Sequence, residues 1–351
     1  MPTVLAKEAL RLLLDHSERV RAVDVRSAGE FATSSVPGFT NLPILTDAER
    51  HEVGTCYKQK GQAAAIELGQ SLVAPHREQR LSGWKAHLAG AEFPLVTCFR
   101  GGMRSSYACE WLEQSGAKPL RVEGGYKALR NELLEKLENL PELLVVAGPT
   151  GSGKTRLLCE ARAPHLDLEL HANHKGSAFG GSLLAPQPAQ ATFENALGFA
   201  LHRLPPSILV EDESAMIGVV CVPEKLRKKI AAAKVIRIRM SAEERAQHIF
   251  QEYITAPLAH GVDPMALRAL YVQALQRIGK RLGGLATSEL QGKVELAFAS
   301  ADQEQHLAWI SDLLALYYDK AYDFSFKKIP RETAFEGNWG ECKQWIQEKF
   351  C

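Results

Sequence analysis

The chain has 351 residues, 46% of them hydrophobic and 24% charged, and a formal net charge of +1. That length is comfortable for two domains and long for one core, and the composition is that of a folded globular protein rather than a disordered or low-complexity one. So even a balance of charge excludes a uniformly polycationic nucleic-acid binder, and any nucleic-acid footprint has to be local. The seven cysteines, at 56, 98, 109, 159, 221, 342 and 351, form no C-x-x-C pair and no zinc-finger spacing. A scattered, odd set predicts reduced thiols and a cytoplasmic location. The first twenty residues break their apolar positions with charges at helical spacing, lack the apolar region of a signal peptide, and precede no stretch long enough to span a bilayer.

In chain order, Val20–Val25 reads as a short buried strand, and Leu42–Ile44 as a second extended element after Val36-Pro37-Gly38. Pro94–Cys98 is a third strand, followed by a glycine loop and a helix from about Ser105 to Gln114 that Gly116 stops. Leu120–Val122 is a fourth, ending in Gly124-Gly125. Strands alternating with helices predict a mostly parallel α/β sheet. A charged helix, roughly Lys127–Leu137, runs into Asn139-Leu140-Pro141, where proline marks a boundary. Leu143–Ala147 then opens a second α/β unit with further strands at Ser207–Glu211 and Lys234–Met240, and helical patterns dominate from Glu243 to about Tyr318. The expected domains are residues 1–138 and 142–351.

The densest chemistry lies in Thr97-Cys98-Phe99-Arg100-Gly101-Gly102-Met103-Arg104-Ser105. A cysteine between a strand end and a helix start is surrounded by backbone N–H groups. With Arg100 and Arg104 these favour negative charge and predict Cys98 as a thiolate nucleophile. Gly101 and Gly102 let the backbone curl around the sulfur. The plainer alternative is a structural cysteine beside a turn, as expected for Cys109 in the following helix.

This segment resembles the rhodanese family. Asp24-Val25-Arg26 with Glu30-Phe31, Val36-Pro37-Gly38-Phe39 with Asn41-Leu42-Pro43, the Cys98 loop and Glu123-Gly124-Gly125-Tyr126 follow in order over most of residues 1–130. One departure is that five residues, not four, separate the cysteine from Arg104, which makes room for a bulkier or more oxygen-rich anion. The same C-x5-R-S spacing also matches cysteine phosphatases, although Thr97 stands where those usually carry histidine.

Gly148-Pro149-Thr150-Gly151-Ser152-Gly153-Lys154-Thr155 satisfies the phosphate-loop pattern between a strand and a helical segment. Gly148, Gly151, Ser152 and Gly153 allow backbone amides to wrap a diphosphate, Lys154 adds a point charge, and Thr155 can place a hydroxyl on Mg²⁺. An acidic partner is expected from Glu211-Asp212-Glu213, with Asp212 or Glu213 favoured. Asn173, His174, Lys175 and Ser177, near several glycines, fit a loop that closes on a ligand. Residues 224–239 hold seven basic side chains and one acidic one. Lys225, Arg227, Lys228, Lys229, Arg237 and Arg239 are therefore the candidate RNA contacts, a solvated charged face being the alternative.

CFRGGMRS, GPTGSGKT, NHKGSAFGG and EDES in that order make the chain similar to the bacterial tRNA 2-selenouridine synthase family across nearly its whole length. The resemblance implies a rhodanese-like parallel-sheet domain followed by a P-loop NTPase-like α/β domain with a helical C-terminal region. It also implies a transferase that acts on the wobble uridine of tRNA, taking 2-thiouridine to 2-selenouridine through an S-geranyl intermediate. The substrates would be geranyl diphosphate and selenophosphate. Cys98 would carry selenium as a selenylsulfide, flanked by Arg100 and Arg104, and the P-loop would hold the prenyl diphosphate. Competing readings are an ATP-dependent tRNA sulfurtransferase with a Cys98 persulfide, a cysteine phosphatase, and a non-catalytic, nucleotide-gated RNA-binding protein.

Overall fold

Short apolar strands with runs of consecutive buried residues organise both halves of the chain. The computed structural model describes residues 2–181, 183, 185–300, 302–328 and 330–350. It divides into one unit of Met1–Asn139 with Ala189–Arg203 and another of Leu140–Pro188 with Leu204–Cys351.

The first unit is built on β1 (Thr3–Val4), β2 (Val20–Asp24), β3 (Phe39–Asn41), β4 (Phe93–Thr97) and β5 (Leu120–Val122), in the order β1-β5-β4-β2-β3, every pair parallel. Residues in register send alternate side chains to opposite faces. Ala22 and Leu95 join one core with Leu10, Leu129 and Leu133. Val23 and Val96 join another with Trp84, Ala108 and Leu112. Buried on both faces, the middle strand β4 reads as an unbroken apolar run. The expected strand at Leu42–Ile44 is instead β3 three residues earlier. Leu42 and Ile44 still donate to Asp24 and Val25 at 3.1 and 3.2 Å, but Pro43 has no N–H and the ladder ends. The stretch between β3 and β4 folds into helices Asp47–Val73 and Arg77–Leu88.

A single cut near residue 140 does not describe the chain, because Ala189–Arg203 returns to the first unit. Its helix Gln190–Leu201 packs on helix Gly125–Glu138 so closely that a Cβ at Gly198 would strike the Leu133 carbonyl. Buried Asn195 donates to the Ser35 carbonyl at 2.7 Å and accepts from Arg130 at 2.8 Å. The apolar spacing of this helix reads as ordinary core helix, and nothing in it says which core it joins.

The second unit carries β6 (Glu142–Ala147), β7 (His165–Leu166), β8 (Ser207–Glu211), the antiparallel pair β9 (Met216–Ile217) and β10 (Val220–Cys221), β11 (Lys234–Ile238) and β12 (Thr333–Gly337). Its main sheet is parallel in the order β12-β11-β6-β8-β7, again with the loop-bearing strand in the middle. Residues 242–328 are helical almost throughout and gather a second core around Tyr271, Leu275, Val294, Trp309 and Leu314. Among the described residues no helix is long and apolar enough to cross a membrane.

Candidate active sites

Cys98 follows the last residue of the middle strand β4 and is buried, 3% exposed. Helix Met103–Gln114 starts four residues after Phe99. The loop is held by the segment after β5, where Tyr126 and Lys127 donate backbone N–H groups to the Cys98 and Phe99 carbonyls at 2.8 and 3.0 Å. Gly125 (φ +60°) lies so near that a Cβ would collide with the Cys98 carbonyl and the Gly101 nitrogen. Glu123-Gly124-Gly125-Tyr126 is thus the backbone clamp of the cysteine loop.

The sulfur lies 3.1 Å from the Ser105 hydroxyl, which itself donates to the Gly102 carbonyl at 3.0 Å. As a thiol Cys98 can donate to this hydroxyl. As a thiolate it can receive the hydroxyl proton once Ser105 turns from Gly102. Ser105 is fully buried and belongs to the site. The S of the C-x5-R-S spacing was its signal.

The two arginines are placed differently from the expected anion cradle. Arg100 is exposed, with its guanidinium 5.8 Å from the Phe99 ring centroid. Arg104 donates both ends to Glu30, at 2.5 and 3.2 Å, and Arg50 joins at 3.2 Å. A phosphatase arginine grips the substrate phosphate; here Glu30 holds it. Burial works against the Glu30 charge, but the Arg104 hydrogen bond and charge override it and hold the carboxyl at about 2, against 4.5 in the open chain. A carboxyl lowered on folding stabilises the protein above about pH 4.5 and loses that contribution as pH falls toward 2. Glu30→Gln should therefore cost about 1–2 kcal/mol at pH 7, where both partners are partly solvated. In denaturant titrations at several pH values, the gap between variant and wild type should close by about pH 2. A gap constant with pH would remove the ion-pair account.

In the second unit, β6 delivers the phosphate loop. Gly151 (φ +83°) and Gly153 (φ +74°) take conformations that side chains avoid, and a Cβ at Gly151 would meet Ile249 at 2.8 Å. Gly148 faces the buried Ser152, and Lys154 spans the loop to donate to the Gly148 carbonyl at 3.3 Å. Arg245, 5% exposed, reaches the loop from a neighbouring helix. It donates to the Thr150 carbonyl at 3.2 Å and to both Asp319 oxygens at 2.7 and 2.8 Å. Removing the buried cation leaves the half-buried Asp319 carboxylate and the Thr150 carbonyl without their partner, so Arg245→Ala should lower stability by about 1.5–3 kcal/mol. A denaturation midpoint unchanged at constant m-value would contradict this.

Of the three carboxyls expected at the end of β8, Glu211 is the one that reaches the Thr155 hydroxyl. Asp212 is taken by Arg331, which binds both its oxygens at 2.8 and 2.6 Å. Glu211, in register with Val146 of β6, is 2.8 Å from the Thr155 hydroxyl, and Glu169 approaches the same hydroxyl at 2.9 Å. One hydroxyl has one proton to give, so one of these carboxyls must donate in return. Burial, then the charges of its acidic neighbours, pushes each carboxyl up. Glu213 stays near, lining the cavity in front of the loop with Lys154.

Of the expected closing loop, Lys175, Gly176 and Ser177 line that cavity. Lys175 pairs with Glu252 at 3.0 Å, Ser177 faces the Tyr253 hydroxyl at 3.3 Å, and a Cβ on Gly176 would sit 2.6 Å from Glu169 and Glu213. Asn173 points elsewhere, bonding the Ala185 and Pro186 carbonyls at 3.0 Å. His174 bridges Gly181 through its backbone, and burial, with the Arg277 charge, pushes its imidazole down.

The basic run divides between helix Glu224–Ala232 and β11, and several of its side chains lie beside acidic ones. Lys228 pairs with Glu224 at 2.6 Å and Lys229 with Glu142 at 3.5 Å, while Arg237 and Arg239 flank Glu336 at 3.8 and 3.6 Å. Lys225 and Arg227 are exposed on the helix. Charges already paired offer phosphates less than the sequence count suggests.

A family model described as the tRNA 2-selenouridine synthase AAA domain matches residues 141–351. Curated relatives cover nearly all of the chain. The tRNA 2-selenouridine synthase of Shewanella denitrificans (strain OS217) is 38% identical, over 93% of this chain and 94% of its own. That of Aeromonas salmonicida (strain A449) is 38% identical over 98% and 97%. That of Hahella chejuensis (strain KCTC 2396) is 40% identical over 90% and 88%. With a buried cysteine loop in one unit, a phosphate loop in the other and this likeness along both, the chain belongs to the tRNA 2-selenouridine synthase family.

Proposed function

We propose that this enzyme converts 2-thiouridine to 2-selenouridine at the wobble position of tRNA in the cytoplasm, in two steps run at two centres. The second unit alkylates: the 2-thio sulfur attacks C1 of geranyl diphosphate, the C–O bond breaks and diphosphate leaves. Lys154 and the loop amides stabilise that leaving group. Thr155, Glu211 and Glu169 suit a hard divalent cation such as Mg²⁺. Among the described residues no cluster of three or more His, Cys, Asp or Glu forms a cage of its own, so such an ion would complete its shell from the diphosphate and water.

The first unit, read as a rhodanese-like domain, then exchanges sulfur for selenium. Alkylation has turned a poor sulfur leaving group into a good one, because geranylthiol departs with its proton. Selenophosphate carries selenium at the selenide level, so the exchange needs no oxidant. Selenium becomes bonded to C2, the C2–S bond breaks, and water takes the phosphorus as phosphate. A selenylsulfide on Cys98 would need a two-electron oxidation. The redox-neutral role for the Cys98 thiolate is attack on C2 to expel geranylthiol, followed by its own displacement by selenium.

What supports this reading is the pairing of a buried cysteine loop and a phosphate loop in one chain that is similar to tRNA 2-selenouridine synthases over more than nine-tenths of its length. The test is mass analysis of nucleosides from tRNA incubated with the protein, geranyl diphosphate and selenophosphate, each omitted in turn. Omitting selenophosphate should leave S-geranyl-2-thiouridine, and omitting geranyl diphosphate should leave 2-thiouridine. Selenation without the prenyl donor, or thiolation driven by ATP, would overturn the scheme.

A further inference from the structure

The cavity in front of the phosphate loop has two chemically distinct ends. Its volume is about 710 Å³, within the range of small-molecule sites. One end is the phosphate loop, with Lys154, Thr155, Glu169 and Glu213. The other is walled by Phe179, Tyr271, Trp309, Ile310, Leu313 and Leu314, all nearly buried and all part of the helical core. Phe179, Tyr271 and Trp309 form a closed triangle, with ring centroids 5.6, 6.2 and 6.2 Å apart.

What this wall withholds is as informative as what it presents. Tyr271 spends its hydroxyl on the Tyr253 carbonyl, and Trp309 donates its Nε1–H to His306 Nδ1 at 3.2 Å. The polar atoms of the triangle's tyrosine and tryptophan are thus turned to protein partners, and ring carbons are left to face a ligand. A nucleobase laid on these three rings would find no free donor or acceptor on the rings themselves, which costs it any polar edge turned toward them. An unbranched or methyl-branched hydrocarbon loses nothing and gains by leaving water.

We infer that the prenyl chain of the diphosphate substrate lies against the Phe179–Tyr271–Trp309 wall, and that this triangle, with Leu313 and Leu314, sets the chain length accepted. The inference rests on the diphosphate reading of the phosphate loop and adds to it the residues that select the tail. Where the wall is rigid and dry, each added isoprene unit either fits and binds more tightly or meets the rings.

The experiment measures binding of inorganic diphosphate and of its dimethylallyl, geranyl and farnesyl esters to the full-length protein by calorimetry. The wild type should bind the geranyl ester at least a hundredfold more tightly than the dimethylallyl ester, and the farnesyl ester more weakly than the geranyl. Trp309→Ala should raise the farnesyl-to-geranyl affinity ratio at least tenfold, and Leu313→Phe should lower the geranyl-to-dimethylallyl ratio by a similar factor. Both should leave inorganic diphosphate binding unchanged, which reports an intact loop and fold. Should Trp309→Ala fail to fold, Leu313→Phe decides alone. Unchanged ratios in the folded variants, with tight geranyl binding in the wild type, overturn the wall but not the diphosphate reading. A wild type that binds the geranyl ester no better than inorganic diphosphate overturns that reading itself.

Discussion

Protein carrying Cys98→Ser should return tRNA that bears S-geranyl-2-thiouridine and no selenium. The substitution changes one atom at a site where volume is tightly set, since Cys98 is 3% exposed and packs with Val23, Val96 and Ala108. The hydroxyl is slightly smaller than the thiol, so the loop, clamped by the backbone bonds from Tyr126 and Lys127, keeps its shape. What disappears is the nucleophile. Sulfur is a far better nucleophile than a serine hydroxyl, which needs a general base, and among the described contacts the hydroxyl of Ser105 is the side-chain group at the sulfur. Losing the attacking atom of a covalent step costs on the order of 10³-fold or more. Geranylation draws on no residue of the Cys98 loop and should proceed at the wild-type rate. Loss of both activities would mean that the two centres do not divide the reaction as proposed.

How legible these centres were in the sequence depended on whether their parts were adjacent. The strand–loop–helix around Cys98 and the phosphate loop are continuous segments in which glycines, charges and the nucleophile fall at fixed short spacings, and the structure sets each at the end of a middle strand. Partners brought in by tertiary packing left no such trace. Glu30, which captures Arg104, is 74 residues away in sequence, and its charge alone does not distinguish it from other surface glutamates. Glu211 was passed over for Asp212 and Glu213 because the last residue of a strand can face either side. Its register beside Val146 turns it to Thr155, while Arg331, 119 residues from Asp212, pulls that carboxylate away. A count of basic residues is blind in a related way, since Glu142 and Glu336, which lie beside part of the run, fall outside the counted window. The helix Gln190–Leu201 is the clearest case: it was not among the expected elements, and packing alone assigns it to the first unit.

Lys154→Ala should show the converse phenotype, with geranylation reduced by about 10²–10³-fold and selenation intact on tRNA supplied already S-geranylated. Diphosphate leaves carrying negative charge that grows as the C–O bond breaks, and the ammonium of Lys154 is the cationic side chain that the loop itself supplies. Its hydrogen bond is one long contact to the Gly148 carbonyl at 3.3 Å. Burial pushes the Glu213 and Glu169 carboxyls up against the pull of its charge, so they can take a proton when the ammonium is removed. Stability should therefore change by less than about 1 kcal/mol, in contrast to Arg245→Ala, which leaves Asp319 without its cation. That contrast separates a chemical role from a structural one. If Lys154→Ala lowered the denaturation midpoint as far as Arg245→Ala does, its loss of activity would carry no information about the leaving group. If instead the fold is unmoved and pre-geranylated tRNA is selenated at the wild-type rate, the phosphate loop serves the alkylation step alone. Selenation that falls in parallel with geranylation on that pre-formed substrate would require the loop at both steps, and the two-centre division would fail from this side.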